Sequence, residues 1–204
     1  YALPEIEGFN AEAAELSTVG GDFVTITGTN FGPAHDYSNA TTIASGINAS
    51  YGGLYAVHGC EVIEAHTRMR CPSAEGVGRN HSWRVTVGDQ TSAASAATTS
   101  YALPVVSGLS GAVVMDTRGN ETVTISGSNF GPAIRASMRP SLSAAVPSIV
   151  AAEYGWAPTA NASNAGLVLE YKASSCTVTK NHVEIECQSM AGVGASLRWR
   201  VHVG

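Results

Sequence analysis

Charge is scarce in this chain. Lys, Arg, Asp and Glu make up 13% of its 204 residues, well under the usual quarter. The formal net charge is −5 and no basic run occurs, which argues against nucleic acid as a partner. No apolar stretch is long enough to span a membrane. Lys, Glu and Leu are few, which points away from helical bundles. There is no Cys-x-x-Cys, no histidine pair at ligand spacing and no Ser/His/Asp order. Gly76-Val77-Gly78 and Gly192-Val193-Gly194 lack the strand–loop–helix setting of a phosphate cradle and are turns. Nothing in the residues supports catalysis, a cofactor or a metal, and a non-enzymatic protein is expected. Tyr1 is not a natural start and no signal peptide precedes it, so a mature or excised piece of a longer protein is expected. What fills the chain instead is small and β-favouring. Hydrophobic residues reach 44%, glycines number 22, and Ala, Ser and Thr make up most of the rest.

One stretch occurs twice. Residues 22–33 read Asp-Phe-Val-Thr-Ile-Thr-Gly-Thr-Asn-Phe-Gly-Pro, and residues 121–132 read Glu-Thr-Val-Thr-Ile-Ser-Gly-Ser-Asn-Phe-Gly-Pro. Val24 and Ile26 face opposite to Phe23, Thr25 and Thr27, and Val123 and Ile125 alternate with Thr122, Thr124 and Ser126. Period-2 alternation of β-branched residues is a strand signal, and the Gly/Asn/Pro cluster ends the strand. Gly32 and Gly131 are placed to supply positive φ before a proline. Phe31 and Phe130 are expected under the turn as core plugs.

The four cysteines form two matched pairs, Cys60/Cys71 and Cys176/Cys187, each with ten residues between. Four cysteines allow three connectivities; the repeat selects bridges within each half, since each domain must close its own. The residues between each pair alternate, so the bridge joins neighbouring strands across a hairpin. In the chain-entropy account a loop of this length contributes about 3 kcal/mol. The spacing is poor for zinc, which wants closely spaced ligands. Disulfides imply an oxidising, extracellular setting.

Other landmarks recur in order. Tyr1-Ala-Leu-Pro4 returns as Tyr101-Ala-Leu-Pro104, Tyr51-Gly52 as Tyr154-Gly155, and Trp83-Arg84-Val85 as Trp199-Arg200-Val201. Residues 11–21 read as a polar bridge, 33–53 and 133–150 as long loops, and Leu54–Val57 as a short strand. The fold class expected is all-β: two tandem immunoglobulin-like antiparallel β-sandwiches, residues 1–100 and 101–204. The halves differ in two places. Tyr51 to Cys60 spans nine positions but Tyr154 to Cys176 spans twenty-two, the excess being a surface loop from Ala157 to Leu169. The first half also has a turn and a small-residue strand in residues 89–100, while the second reaches Gly204 without one. A sandwich lacking an edge strand exposes backbone groups and a groove, so the missing strand is expected from further sequence of the same chain or from a neighbouring copy.

These motifs together resemble the IPT/TIG family of immunoglobulin-like domains. The residues that carry the resemblance are Pro4 with Ile6, Gly20-Gly21, Val24 to Gly32, Tyr51-Gly52, Cys60/Cys71, Pro72, Gly76-Val77-Gly78 and Val85 to Gly88, with counterparts at Pro104, Gly127 to Gly131, Tyr154-Gly155, Cys176/Cys187 and Gly192-Val193-Gly194. The family implies Ig-like sandwiches in tandem ectodomains or extracellular fibres, sometimes spacers of secreted glycosidases, and sometimes dimerisation modules of DNA-binding factors. It implies no catalytic set.

Five Asn-x-Ser/Thr triplets, at Asn39, Asn48, Asn80, Asn120 and Asn161, are candidate N-glycosylation sites; serines and threonines of 38–50 and 91–100 could take O-linked sugars. Trp83 and Trp199 are expected as packing aromatics rather than sugar platforms. The six histidines are expected on surfaces or turns, and Glu5, Glu7, Glu12, Glu15 and Asp22 as a solvated face rather than a calcium site. Tyr1, Ala2, Leu3, Pro4, Trp156, Val201 and Val203 are the interface candidates. The function expected is a secreted, glycosylated structural protein, a fibre or long ectodomain in which residues Tyr1–Ile6 of one copy dock beside the last strand of the next. The competing expectations are an adhesion or carbohydrate-binding ectodomain using the long loops and Trp156, and an accessory domain of a secreted enzyme.

Overall fold

The computed structural model describes residues 1–34, 46–111, 114–133, 150–156 and 168–204. The chain divides into two compact units, Tyr1–Ala102 and Leu103–Gly204. The first keeps Tyr101, which is 3% exposed in its core, so the second unit begins at Leu103 and not at Tyr101.

The first unit has strands β1 (Glu5–Phe9), β2 (Phe23–Thr29), β3 (Asn48–Tyr51), β4 (Tyr55–Val57), β5 (Glu61–Glu64), β6 (Arg68–Pro72), β7 (His81–Val87), β8 (Gln90–Thr91) and β9 (Thr98–Thr99). One sheet has the order β1-β2-β6-β5 and the other β4-β3-β7-β8, with β9 also on β7. Phe9 of one sheet meets Trp83 of the other at 5.8 Å between ring centres. The second unit has β10 (Val105–Ser110), β11 (Thr122–Ser128), β12 (Val150–Trp156), β13 (Val168–Lys172), β14 (Ser174–Lys180), β15 (Glu184–Gln188) and β16 (Arg198–Val203). Its sheets run β10-β11-β15-β14 and β13-β12-β16. Val123, Ile125, Val178 and Ile185 of the first sheet pack with Ala152 and Val201 of the second around Phe130. All the strand pairings are antiparallel, and this strand order is that of an immunoglobulin-like sandwich. Among the described residues no helix is long and apolar enough to cross a membrane.

The repeated stretch organises each unit. Val24 and Ile26 are fully buried while Phe23 on the opposite face is 55% exposed. Phe31 and Phe130 are both fully buried. The turn above each plug takes left-handed backbone on either side of the phenylalanine: Asn30 and Asn129 before it at φ 63° and 62°, and the proline-preceding Gly32 and Gly131 after it at 86° and 79°. Asn30 Nδ2 donates to the Leu3 carbonyl and Asn129 Nδ2 to the Leu103 carbonyl, each at 2.9 Å. Gly28 and Gly127 allow the first strand to cross closely. A Cβ there would strike the Glu5 or Val105 carbonyl and the tip of the phenylalanine plug.

Cys60 is bonded to Cys71 and Cys176 to Cys187, with Cα atoms 4.2 and 4.1 Å apart. Cys60 stands just before β5 and bridges to the neighbouring β6, Cys176 and Cys187 bridge β14 to β15, and the second bridge packs in the core around Phe130.

Three expectations change. Residues 11–21 are not a purely polar bridge. They hold a 3-10 turn, Ala11–Ala14, and bury Ala13, Leu16 and Thr18. Leu16 pairs with the chain near Tyr101, donating to the Ser100 carbonyl and accepting from Ala102, both at 2.8 Å. The 33–53 loop contains β3, because Ala49 and Tyr51 supply an inward face. In the second unit Trp156 ends β12 and pairs with Val168, so the segment that follows ends at β13 rather than at Leu169. The loop expectations for 35–45, 134–149 and 157–167, with His35, Arg135, Arg139, Pro140 and Pro147, lie outside the described residues.

Phe31→Ala and Phe130→Ala are each expected to lose about 3–5 kcal/mol of stability in denaturant titrations, the range for emptying a buried aromatic site. A loss under about 1 kcal/mol would show that the plug is not a core element.

Candidate functional site

The inner face of the β4-β3-β7 sheet carries an aromatic cluster. Tyr51 stacks on Trp83 at 4.1 Å and on Tyr55 at 4.9 Å between ring centres. Tyr101 comes from the end of the unit and lies 5.6 Å from Tyr55, and His81 meets both edge-on. Alternation of β3 and β7 points these rings the same way. Every polar tip is satisfied. The Tyr51 and Tyr101 hydroxyls lie 2.6 Å apart, Tyr101 donates to the Ala74 carbonyl, and Tyr51 accepts from the Ala74 amide, the last two at 2.8 Å. Tyr55 donates to the Val77 carbonyl and accepts from its amide at 2.8 and 3.0 Å. Trp83 Nε1 donates to Thr99 Oγ1 at 2.8 Å. Burial pushes the pKa values of Tyr51, Tyr55 and Tyr101 up and that of His81 down. The cluster therefore stays neutral, which suits packing and not proton transfer.

The outer edge of β7 is closed by residues 90–101. Ser92 donates its amide to the Val85 carbonyl (2.9 Å) and its Oγ accepts from the Val85 amide (3.1 Å). Ser95 does the same with Trp83, at 2.9 Å both ways. Serine hydroxyls complete a ladder that short β8 and β9 cannot supply alone.

The second unit repeats the cluster, with no counterpart of Tyr101 among the described residues. Tyr154 stacks on Trp199 at 4.2 Å and on Tyr171 at 5.1 Å. Tyr154 donates to the Met190 carbonyl and accepts from its amide at 3.2 and 2.9 Å, and Tyr171 holds Val193 in the same way at 2.9 and 3.2 Å. Where Tyr101 sits in the first unit there is a groove of about 450 Å³, lined among others by Leu109, Met115, Tyr154, Tyr171, Val193 and Trp199. Val193 is 72% exposed, whereas its counterpart Val77 is 3% exposed. Trp83 is fully buried, but Trp199 is half-buried. Among the described residues β16 pairs with β12 alone.

The other sequence-named residues fall as follows. Tyr1 is wholly exposed and Leu3 is 59% exposed; Ala2 is also exposed. Two interface candidates are corrected. The Pro4 side chain is buried in its own unit, and Val201 is 7% exposed in the second core, because strand alternation turns it inward. Val203 is half-buried and Trp156 is 46% exposed. Asn80 and Asn120 are exposed, Asn48 faces His58 at 2.9 Å, and Asn39 and Asn161 lie outside the described residues. His81 is not a surface histidine but a buried one, pressed among tyrosine rings. Among the described residues no three His, Cys, Asp or Glu side chains converge on a metal-sized centre. Sequence reasoning missed Tyr55, Tyr101, Ser92 and Ser95 as a unit. The available signal was a tyrosine five residues before the first cysteine of each pair, Tyr55 and Tyr171.

No family model matches this chain, and no curated protein matches it. Among solved structures it is similar over 100% of its length to 41% of a chain crystallised with a xylogluco-oligosaccharide, at 10% identity and a TM-score of 0.47. It is also similar over 93% of its length to 13% of the plexin A4 full extracellular region, at 14% identity and a TM-score of 0.33. A second structure of that plexin A4 region gives 98% and 17% coverage, 16% identity and a TM-score of 0.32. The chain spans less than half the length of each. The immunoglobulin-like assignment rests on the strand order above and not on these likenesses.

Burial of His81 is expected to make the first unit pH-sensitive. Burial lowers its pKa from an ordinary 6.5, so the unfolded chain takes up a proton before the folded one does. Stability is therefore full above the ordinary histidine value and falls as pH drops through the window below it. The second unit has Leu197 at this place. His81→Leu is expected to flatten the melting temperature of the first unit between about pH 7 and about pH 5. An unchanged slope would mean that another group carries it.

Proposed function

We propose that this chain is a non-enzymatic extracellular structural protein, a tandem building block of a glycosylated fibre or long ectodomain, of the IPT/TIG kind its motifs resemble. The observation that carries the reading is the succession, in one chain, of two all-β units, each pinned by its own disulfide. A head-to-tail contact between copies, by strand addition at an exposed sheet edge, builds filaments or long arrays rather than closed dimers. Two internal disulfides support an oxidising, extracellular location. The neutral, fully satisfied cluster supports a packing role over catalysis. A second reading, an adhesion or carbohydrate-binding ectodomain, draws on the exposed Trp156 at the end of β12.

Electron microscopy of the native material is expected to show filaments or strings of paired domains. Isolated, unconnected particles would sink the fibre reading. Covalent glycans follow from the same location. Asn80 and Asn120 stand exposed in left-handed turns, where a glycan meets no packed neighbour. After secretion from a eukaryotic host, Asn80→Gln and Asn120→Gln are each expected to remove one glycosidase-sensitive mass step. Equal masses for variants and parent would remove the glycoprotein part.

A further inference from the structure

We infer that this chain binds a second copy of itself face to face, with the outer face of β6 in the first unit of one copy laid on the outer face of β15 in the second unit of the next. The inference rests on the head-to-tail reading above and adds a contact to it. Both strands are central in four-stranded sheets, β1-β2-β6-β5 and β10-β11-β15-β14. Alternation buries Met69 and Cys71 and leaves Arg68, Arg70 and Pro72 on the outside. In the same way Ile185 and Cys187 are buried while Glu184, Glu186 and Gln188 look outward. The strand registers make the two faces comparable position by position. On β6, Arg70 stands between Thr25 of β2 and Glu61 of β5, and Arg68 between Thr27 and Glu64. On β15, Glu186 stands between Thr124 of β11 and Thr177 of β14, and Glu184 between Ser126 and Lys180. Arg68, Arg70 and Glu64 of the first unit thus correspond to Glu184, Glu186 and Lys180 of the second, and the charge is reversed at all three places. The neighbouring β2 and β11 positions carry hydroxyls in both.

The occupant follows from that reversal, because two faces of like shape and opposite sign are complements. With β6 laid antiparallel over β15, Arg68 meets Glu186, Arg70 meets Glu184 and Glu61 meets Lys180. Within each face the ion pairs are exposed ones, Arg68 with Glu64 at 3.6 Å and Lys180 with Glu184 at 2.6 Å. Such pairs are worth little and leave their charges available to a partner. Two further observations point the same way. The Glu186 carboxylate is half-buried and, among the described residues, has no ion-pair or hydrogen-bond partner. Arg70 is ordered beforehand, since its guanidinium pairs with Glu61 and lies over the exposed Phe23 ring at 4.4 Å. A side chain already held in place costs less entropy on binding.

The two faces lie on different units, so the contact can be broken from either side. Arg68→Glu with Arg70→Glu turns the first face acidic, like the second. Glu184→Arg with Glu186→Arg turns the second face basic, like the first. Sedimentation of the wild type up to about 1 mM, the scale of a weak protein contact, is expected to show mass rising with concentration, less so at high salt. Each double variant alone is expected to lose at least about tenfold in association constant. An equimolar mixture of the two is expected to associate again, since every acidic face then finds a basic one, and that recovery also shows both variants folded. Arg79→Glu with Lys172→Glu shifts the net charge as far as the first variant does, from exposed positions off both faces, and is expected to associate like the wild type. Glu186→Gln keeps the side chain's shape without its charge and is expected to weaken association, which preserves the test if a double variant misfolds. If Glu186→Gln and the double variants associate like the wild type, or if the Arg79/Lys172 variant dissociates as far as they do, the face contact is wrong while the head-to-tail reading stands. If the wild type stays monomeric throughout, the head-to-tail reading falls and takes the face contact with it.

Discussion

A β-sheet is finished only when the backbone groups of its outermost strand have partners. That requirement shapes both units more than any single side chain. In the first unit the outer side of β7 is met by Ser92 and Ser95, each contributing an amide and a hydroxyl. The residues of this segment are small, so it can lie close to the strand while its serines substitute for backbone acceptors. Tyr101 then locks the segment into the core through Tyr51 and Ala74. In the second unit the corresponding groups of β16 stand beside an aromatic groove. The cluster beneath is built as in the first unit.

Beneath the edges, the cores depend on shape. Phe31 and Phe130 fill the space under a turn whose left-handed asparagine and glycine bring the chain back over the ring. Gly28 and Gly127 let the first strand pass within reach of that ring, where any side chain would collide. The asparagine side chain then fixes the carbonyl of the leucine in the Tyr-Ala-Leu-Pro segment. One short motif therefore sets a strand, a plug, a crossing and the approach of the preceding chain. Disulfides add a constraint on the unfolded chain, which suits sheets with many two- to five-residue strands.

Much of this was legible in order along the chain. The alternation of Val24 and Ile26, the plugs Phe31 and Phe130 and the paired cysteines all rest on local or repeated signals, and the residues carry them without help from distant contacts. What was not legible depends on long-range packing. Residues 11–21 looked polar, yet Leu16 is buried because it meets Ser100 and Ala102 from the far end of the unit. His81 looked like a turn histidine, yet three tyrosines enclose it. Val201 looked like an edge residue, yet alternation from Trp199 turns it into the core.

By itself the sequence determined the all-β character, the repeat, the plug turns and the covalent pairing within each half, because short-range periodicity and duplicated spacing encode these directly. Only the tertiary structure decided that Tyr51, Tyr55 and Tyr101 gather in one cluster. The cluster forms where residues 50 positions apart meet, as Tyr51 and Tyr101 do, and a linear pattern holds no record of such meetings.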